Sequence, residues 1–247
     1  MSQINIVTAG FLVIGDEILS GRTADLNINF LAKNLNDLGI ILKEVRVVGD
    51  FESEIIEAVC ALKNKYDYVF TSGGIGPTHD DITSLAIAKA FNQKLILNPK
   101  AQEILFQFYG KDNVNEARLK MAMVPEFASL LDNPVSSAPG FFIENVFVLA
   151  GVPKIFQAMF YCCKTKLKYG NKVFSKEIII NLTESIIAKD LTNLQNEYPN
   201  LSIGSYPFEG GTSLVFRGIE PNIIDKAILK MTDNINLIKE NSIIEIK

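Results

Sequence analysis

The chain has 247 residues, 48% hydrophobic and 21% charged, with a formal net charge of -4 and a pI of about 5.2. That is a globular composition with enough apolar residues for a sizeable core, and its mildly acidic balance disfavours non-specific nucleic-acid binding, which needs a basic face. Cys60, Cys162 and Cys163 lack CxxC spacing and cannot all pair, so a disulfide framework and a zinc site are excluded, and with no export signal or membrane-length apolar run the expected location is the cytoplasm.

Ile4 to Val13 reads as a buried first strand that ends at Ile14-Gly15-Asp16-Glu17. From Asp25 to Leu38, the residues Ile28, Leu31, Leu35 and Leu38 share one face of an amphipathic helix closed by Gly39. Ile40 to Val48 is β-branched and reads as a second strand. Asp50 then stands where an N-cap would stand for a helix with Ile55, Ile56, Val59 and Leu62 inward. Tyr68 to Phe70 is a short third strand. It empties into Thr71-Ser72-Gly73-Gly74-Ile75-Gly76-Pro77-Thr78, after which His79-Asp80-Asp81 leads into a helical pattern at Ile82, Leu85, Ala86 and Ala90. The β-α-β-α-β-loop-α order predicts an α/β fold, a mainly parallel sheet with helices on both faces.

Residues 95–125 read as a short strand and two helices, the second from Asn115 to Met123, and Leu130 to Pro139 as a turn-rich loop. Phe141–Ile143 and Val146–Leu149 look like a hairpin, and Ala150-Gly151-Val152-Pro153 opens a helix that buries Phe156, Met159 and Phe160. The composition turns basic and polar between Tyr161 and Lys172, which places a boundary between a first domain, residues 1–165, and a second, residues 172–247. The second reads as strand (Glu177–Leu182), helix (Ala188–Glu197), two strands (Leu201–Ser205, Ser213–Arg217) and helix (Pro221–Thr232), a small α+β layer.

Strand, Gly-rich loop and helix start form the geometry in which backbone N–H groups converge on an anion. Gly73, Gly74 and Gly76 permit close approach of the main chain. The loop holds no Lys or Arg, so a phosphate there would rest on N–H groups, on Thr71, Ser72 and Thr78, and on a metal carried by Asp80 or Asp81. Oxygen-only ligation suits Mg²⁺ or a similar divalent cation, with a monovalent cation as an optional addition. The bland alternative is a plain turn with Asp80 or Asp81 capping the helix. Neither GxGxxG nor GxxxxGK[ST] is present. Gly15, Asp16 and Glu17 at a buried strand end are site candidates, Glu17 with a catalytic role; Asn27 either caps or faces the pocket. His79, the single histidine, borders the proposed phosphate site.

GGIGPTHDD, at Gly73–Asp81, resembles the signature of the molybdopterin-binding fold family, in the branch typified by competence/damage-inducible protein A. IGDEILSG (Ile14–Gly21), VVGD (Val47–Asp50), NPVSSAPGF (Asn133–Phe141) and AGVP (Ala150–Pro153) accompany it in the family's order. The second domain is similar in pattern to the small domain that follows in such proteins and in eukaryotic FAD synthases. The resemblance implies substrate contacts at Gly15, Asp16, Asn27, Ser72, Gly73, Gly74, Gly76, Pro77, Thr78 and His79. It implies a second wall at Ser136, Ser137, Pro139 and Gly140, and a third at Gly151 and Pro153. Where many members carry a glutamate shortly after that last proline, this chain has Lys154-Ile155-Phe156. The function implied is metal-dependent hydrolysis of a nucleotide pyrophosphate such as ADP-ribose or FAD, with Asp81, Asp80 and Glu17 as catalytic residues and Asp80 and Asp81 on the metal. Its rivals are molybdopterin binding or adenylylation, and non-catalytic nucleotide sensing. The partner expected is a small-molecule nucleotide or pterin phosphate, with no membrane and with a homo-oligomer left open.

Overall fold

Strand β1 (Val7–Ile14) sends alternate side chains to opposite sides of a sheet, and this alternation organises the first unit. Val7, Ala9, Phe11 and Val13 join one buried cluster; Leu12 and Ile14 join another. Both faces are therefore covered, as the near-continuous apolar run requires. A computed structural model describes residues 5–247. Ile4, where the expected first strand begins, lies outside the described residues.

After β1 come α1 (Asp16–Leu19), α2 (Asn27–Asp37), β2 (Ile40–Val48), α3 (Glu52–Lys63), β3 (Tyr68–Ser72) and α4 (Thr83–Ala90). Then follow β4 (Leu95–Leu97), α5 (Pro99–Tyr109), α6 (Glu116–Lys120), β5 (Met123–Pro125), β6 (Ser129–Leu131), β7 (Gly140–Ile143), β8 (Val146–Leu149) and α7 (Pro153–Cys163). The main sheet has the order β2-β1-β3-β8-β7-β6, parallel from β2 through β8 and antiparallel at β7 and β6. Helices α2 and α7 cover one face through Leu31, Leu35, Phe156, Met159 and Phe160. Helices α3 and α4 cover the other through Ile55, Val59, Leu62, Ala86 and Ile87. β4 and β5 form a separate two-stranded ribbon, and Val124 of β5 packs into the cluster that holds α4.

Some local expectations are corrected. Asp50 is not an N-cap: Phe51 occupies that position without a side-chain cap, and the Asp50 carboxylate accepts a hydrogen bond from the Asp16 amide instead. Neither Asp80 nor Asp81 caps α4, whose N-cap is Ile82. The expected helix from Asn115 to Met123 is the shorter α6, since Met123 leaves to pair with Leu97 in the ribbon. The loop expected from Leu130 begins inside β6.

The chain divides into two units, Met1–Gly170 and Asn171–Lys247. The second holds β9 (Phe174–Ile180), α8 (Glu184–Glu197), β10 (Ser202–Phe208), β11 (Gly211–Gly218), α9 (Pro221–Ile238) and β12 (Ile243–Ile246). Its antiparallel sheet, β10-β11-β9-β12, buries Ile178, Ile180, Leu214 and Phe216 under α8 and α9. The sequence expectation omitted β12 and stopped α9 a turn and a half early. Among the described residues no helix is long and apolar enough to cross a membrane.

Candidate functional site

Because β2, β1, β3 and β8 are parallel, their carboxyl ends fall along one edge of the sheet, at Val48, Ile14, Ser72 and Leu149. The segments leaving those ends are Gly49-Asp50, Gly15-Asp16-Glu17, Gly73-Gly74 and Gly151. Strand β7 is antiparallel, so its first residue, Gly140, reaches the same edge and brings residues 136–139 with it. This edge is where open α/β sheets bind ligands.

Gly73 and Gly74 carry φ of 107° and 68°, conformations that a side chain disfavours. Space demands glycine as well. A Cβ on Gly73 would lie 2.2 Å from the Ile14 carbonyl oxygen, and one on Gly74 would lie 2.1 Å from Thr83 Oγ1. The Gly73 amide donates to the Leu149 carbonyl, and the Thr83 amide donates to the Gly74 carbonyl. Gly151 lies against the other side of the turn, where an added Cβ would be 3.2 Å from Gly73 Cα.

Asn27 ties strand ends together rather than capping its helix. Its Nδ2 donates to Ser72 Oγ at 2.9 Å and to the Gly151 carbonyl at 2.8 Å, while Asp25 Oδ1 accepts from the Ile28 amide. The Oδ1 of Asn27 and the Oγ1 of Thr83 are buried with no hydrogen-bond partner. Such groups flanking a loop are acceptors held ready for a water, ion or ligand.

Four carboxylates rim the edge. Asp16 Oδ1 lies over Gly49 and the Glu17 carboxylate folds back over Gly15. Asp50 accepts from the Asp16 amide at 3.0 Å. Partial burial pushes the Asp50 carboxyl above its ordinary range, and the negative charges of Asp16, Glu17 and Asp80 add to the push. Sequence reasoning assigned Asp50 to a helix cap; its place in VVGD was the signal that could have put it in the site.

Asp80 and Asp81 diverge. Asp81 Oδ2 accepts from the Thr78 amide at 2.8 Å and from the Thr78 hydroxyl at 2.5 Å, closing the turn from 78 to 81. Asp80 is exposed and belongs to the field around Asp50. The Thr78 side chain and its own amide hold its carboxyl below the usual range, with smaller help from His79 and Lys120. The His79 ring is 99% exposed, with Nδ1 3.9 Å from Asp80 Oδ1. Pro77 sits exposed between Gly76 and Thr78.

The second wall has its own organiser, which the sequence reading passed over. Asn133 is buried, accepts from the Val135 and Ser136 amides, and donates to Ser136 Oγ and the Ala138 carbonyl. Ser137 is held at φ 60° in this turn. Gly140 is required by packing, since a Cβ would meet the Val148 carbonyl at 2.4 Å. Pro153 is the first residue of α7. Among the described residues no three His, Cys, Asp or Glu side chains form a preformed metal cage.

Residues 10–168 match the family model described as "Probable molybdopterin binding domain", and residues 172–242 match "FAD synthase, middle domain". The chain is 32% identical over 224 residues to a protein of Archaeoglobus fulgidus, covering 90% of this chain and 96% of that one. It is 35% identical over 226 residues to a "Probable FAD synthase" of Caenorhabditis elegans, covering 81% of this chain and 44% of that longer protein. Among solved structures, the protein CinA from Thermoplasma acidophilum, titled as of unknown function, aligns with a TM-score of 0.63 at 34% identity, covering 66% of this chain and 98% of that one.

Proposed function

The chain belongs to the molybdopterin-binding domain family, and on that premise we propose that it binds a nucleotide diphosphate at the carboxyl edge of its parallel strands and hydrolyses the pyrophosphate bond with the help of a divalent cation. ADP-ribose and FAD are the substrates of choice; the C. elegans relative's name brings FAD into consideration. One observation carries the reading: a glycine turn at the carboxyl edge of the sheet, rimmed by Asp16, Glu17, Asp50 and Asp80.

The donor chemistry fits a hard cation. All four rim groups are carboxylates, and the negative charges of Asp16, Glu17 and Asp80, which add to the burial that raises Asp50, are charge that a cation would relieve. Magnesium binds through one or two carboxylates plus substrate phosphate oxygens and needs no closed protein cage. Asp80 and Asp16 are the residues that would hold it. When bound, it would neutralise the diphosphate and the charge that develops on the leaving phosphate. The glycine turn positions the diphosphate, and Asn27 keeps the turn in register with Gly151. In the reaction, a water oxygen bonds to one phosphorus, the bridging P–O bond breaks, and two monophosphates leave. Asp50, with its raised proton affinity, accepts the proton that the water sheds.

Binding of a pterin phosphate is the second reading, favoured by the description of the family model. Purified full chain incubated with ADP-ribose, FAD and NAD across several divalent cations separates the two. AMP released from ADP-ribose or FAD, and abolished by a chelator, is the expected result. Tight binding of molybdopterin with no turnover of any dinucleotide would overturn it.

A further inference from the structure

The signature loop from Ser72 to Thr83 contains no Lys or Arg, yet the fold supplies a cation from 42 residues away. Lys120, at the last position of α6, donates from Nζ to the Thr78 carbonyl oxygen. Its mount is fixed. Asn115 caps α6 by accepting from the Arg118 amide, the Ala122 carbonyl accepts from Asn98, and Val124 packs with the helix that follows the loop. The neighbouring cation, Arg118, is turned away. Its guanidinium lies 4.2 Å over Tyr109 and donates to the Asn113 carbonyl.

Lys120 differs from the ion-paired lysines. Lys65, Lys89, Lys176, Lys230 and Lys247 each meet a carboxylate, whereas among the described residues none lies within ion-pair distance of Lys120. Its ammonium rests on a neutral acceptor, and of the rim carboxylates it acts on Asp80, whose carboxyl it helps to hold below the usual range. An ammonium has three N–H donors, and the Thr78 carbonyl takes one. The rim is negative, with Asp16, Glu17, Asp50 and Asp80. An anion on the turn therefore meets the repulsive charge of the rim and the cation that the fold brings to Thr78.

We propose that Lys120 is the phosphate-contacting cation of this site, holding the diphosphate from outside the glycine turn and setting the site's preference for phosphorylated over unphosphorylated nucleosides. The proposal rests on the nucleotide-diphosphate reading above and assigns the recognition charge to a residue outside the signature. It also explains how a turn built only of neutral groups, beside four carboxylates, can hold an anion.

The test is titration calorimetry of the full chain with ADP-ribose, inorganic pyrophosphate and adenosine, using wild type, K120Q, K120A and K120R. K120Q keeps an N–H donor for the Thr78 carbonyl and loses the charge. For ADP-ribose, K120Q and K120A should bind about tenfold to a hundredfold more weakly, the worth of one hydrogen bond to a charged group. K120R should stay near wild type, and adenosine should bind all four alike. If K120Q binds ADP-ribose as wild type does, Lys120 is a loop staple and the proposal falls alone. An equal loss of adenosine and ADP-ribose would also overturn it, as damage to the loop. If wild type binds neither ADP-ribose nor pyrophosphate, the nucleotide-diphosphate reading falls, and this proposal with it.

Discussion

Replacing Gly73 by alanine tests whether the glycine turn is as over-determined as its geometry demands. Two costs add. At φ 107° an L-residue sits outside its allowed regions, which costs about 1–3 kcal/mol. The new Cβ would also stand 2.2 Å from the Ile14 carbonyl oxygen, a backbone atom of the buried central strand that cannot swing aside. Overpacking of that kind adds about 1–3 kcal/mol. The sum is about 2–6 kcal/mol, and in a unit of this size each kcal/mol moves the melting temperature by about 2–4 °C. Gly21→Ala is the control, because Gly21 has φ 71° but nothing within 4 Å of a built Cβ. It carries the conformational cost alone, about 1–2 kcal/mol. Gly151→Ala is the complement: its Cβ would press on Gly73 Cα at 3.2 Å, a contact met by small shifts. Thermal denaturation should rank Gly73→Ala lowest, by about 4–24 °C below wild type, the range those costs give. Gly151→Ala should stay near wild type in melting while losing ADP-ribose affinity. If Gly73→Ala melts with Gly21→Ala, the turn yields where it is described as rigid, and the account of the site as a fixed N–H cradle is wrong.

Asp81→Ala removes the acceptor for two Thr78 hydrogen bonds and should weaken ADP-ribose binding about tenfold or more, at about 1 kcal/mol per bond, while Asp81→Asn, which keeps an oxygen there, should retain most affinity. Equal damage from both, read by calorimetry, would make the charge of Asp81 the essential property and return it to the metal. Asp50→Asn should abolish most hydrolysis yet raise stability at neutral pH by about 0.5 kcal/mol, a surface-scale figure already reduced for screening. Because the folded carboxyl titrates above its unfolded value, the wild type loses stability as pH rises between the two, so the variant's advantage should be absent in acid and complete above the folded value. A gain of equal size at every pH would refute the like-charge account. Glu44 has the opposite sign: hydrogen bonds from Lys65, Tyr66 and Arg46 pull it down to about 2, so its contribution holds above the ordinary carboxylate range and fades as pH falls toward about 2. Glu44→Gln should flatten that part of the acid-unfolding curve, and an unchanged acid limb would count against it.

The sheet, the glycine loop and most of the helices were legible because they rest on local signals. β1 declares itself by a near-continuous apolar run and the loop by three glycines between a strand and a helix. What stayed hidden depends on partners distant in sequence. An aspartate before an apolar-periodic helix reads as a cap, and nothing local says that the Asp16 amide, 34 residues earlier, claims Asp50 first. Lys120 falls inside a stretch that reads only as a helix, since its meeting with Thr78 exists only once β5 turns back on β4. Asn133 falls in a stretch that reads only as a turn-rich loop, while its four side-chain hydrogen bonds make it the turn's scaffold. β12 escaped because it is short and mostly exposed.

The position of β8 has a consequence for how this chain must be made. β3 lies in the middle of the sheet, yet the partner on its far side is Val146–Leu149, more than seventy residues later. Until the ribosome has delivered that strand, Tyr68–Ser72 presents an unpaired edge flanked by Val69 and Phe70, both fully buried in the finished protein. Open apolar edges recruit other strands, and a parallel partner so distant closes slowly. A fragment ending before Val146 would therefore be adhesive rather than merely incomplete, and the nascent chain depends on late-arriving residues both to seal its sheet and to set Gly151 against the glycine turn.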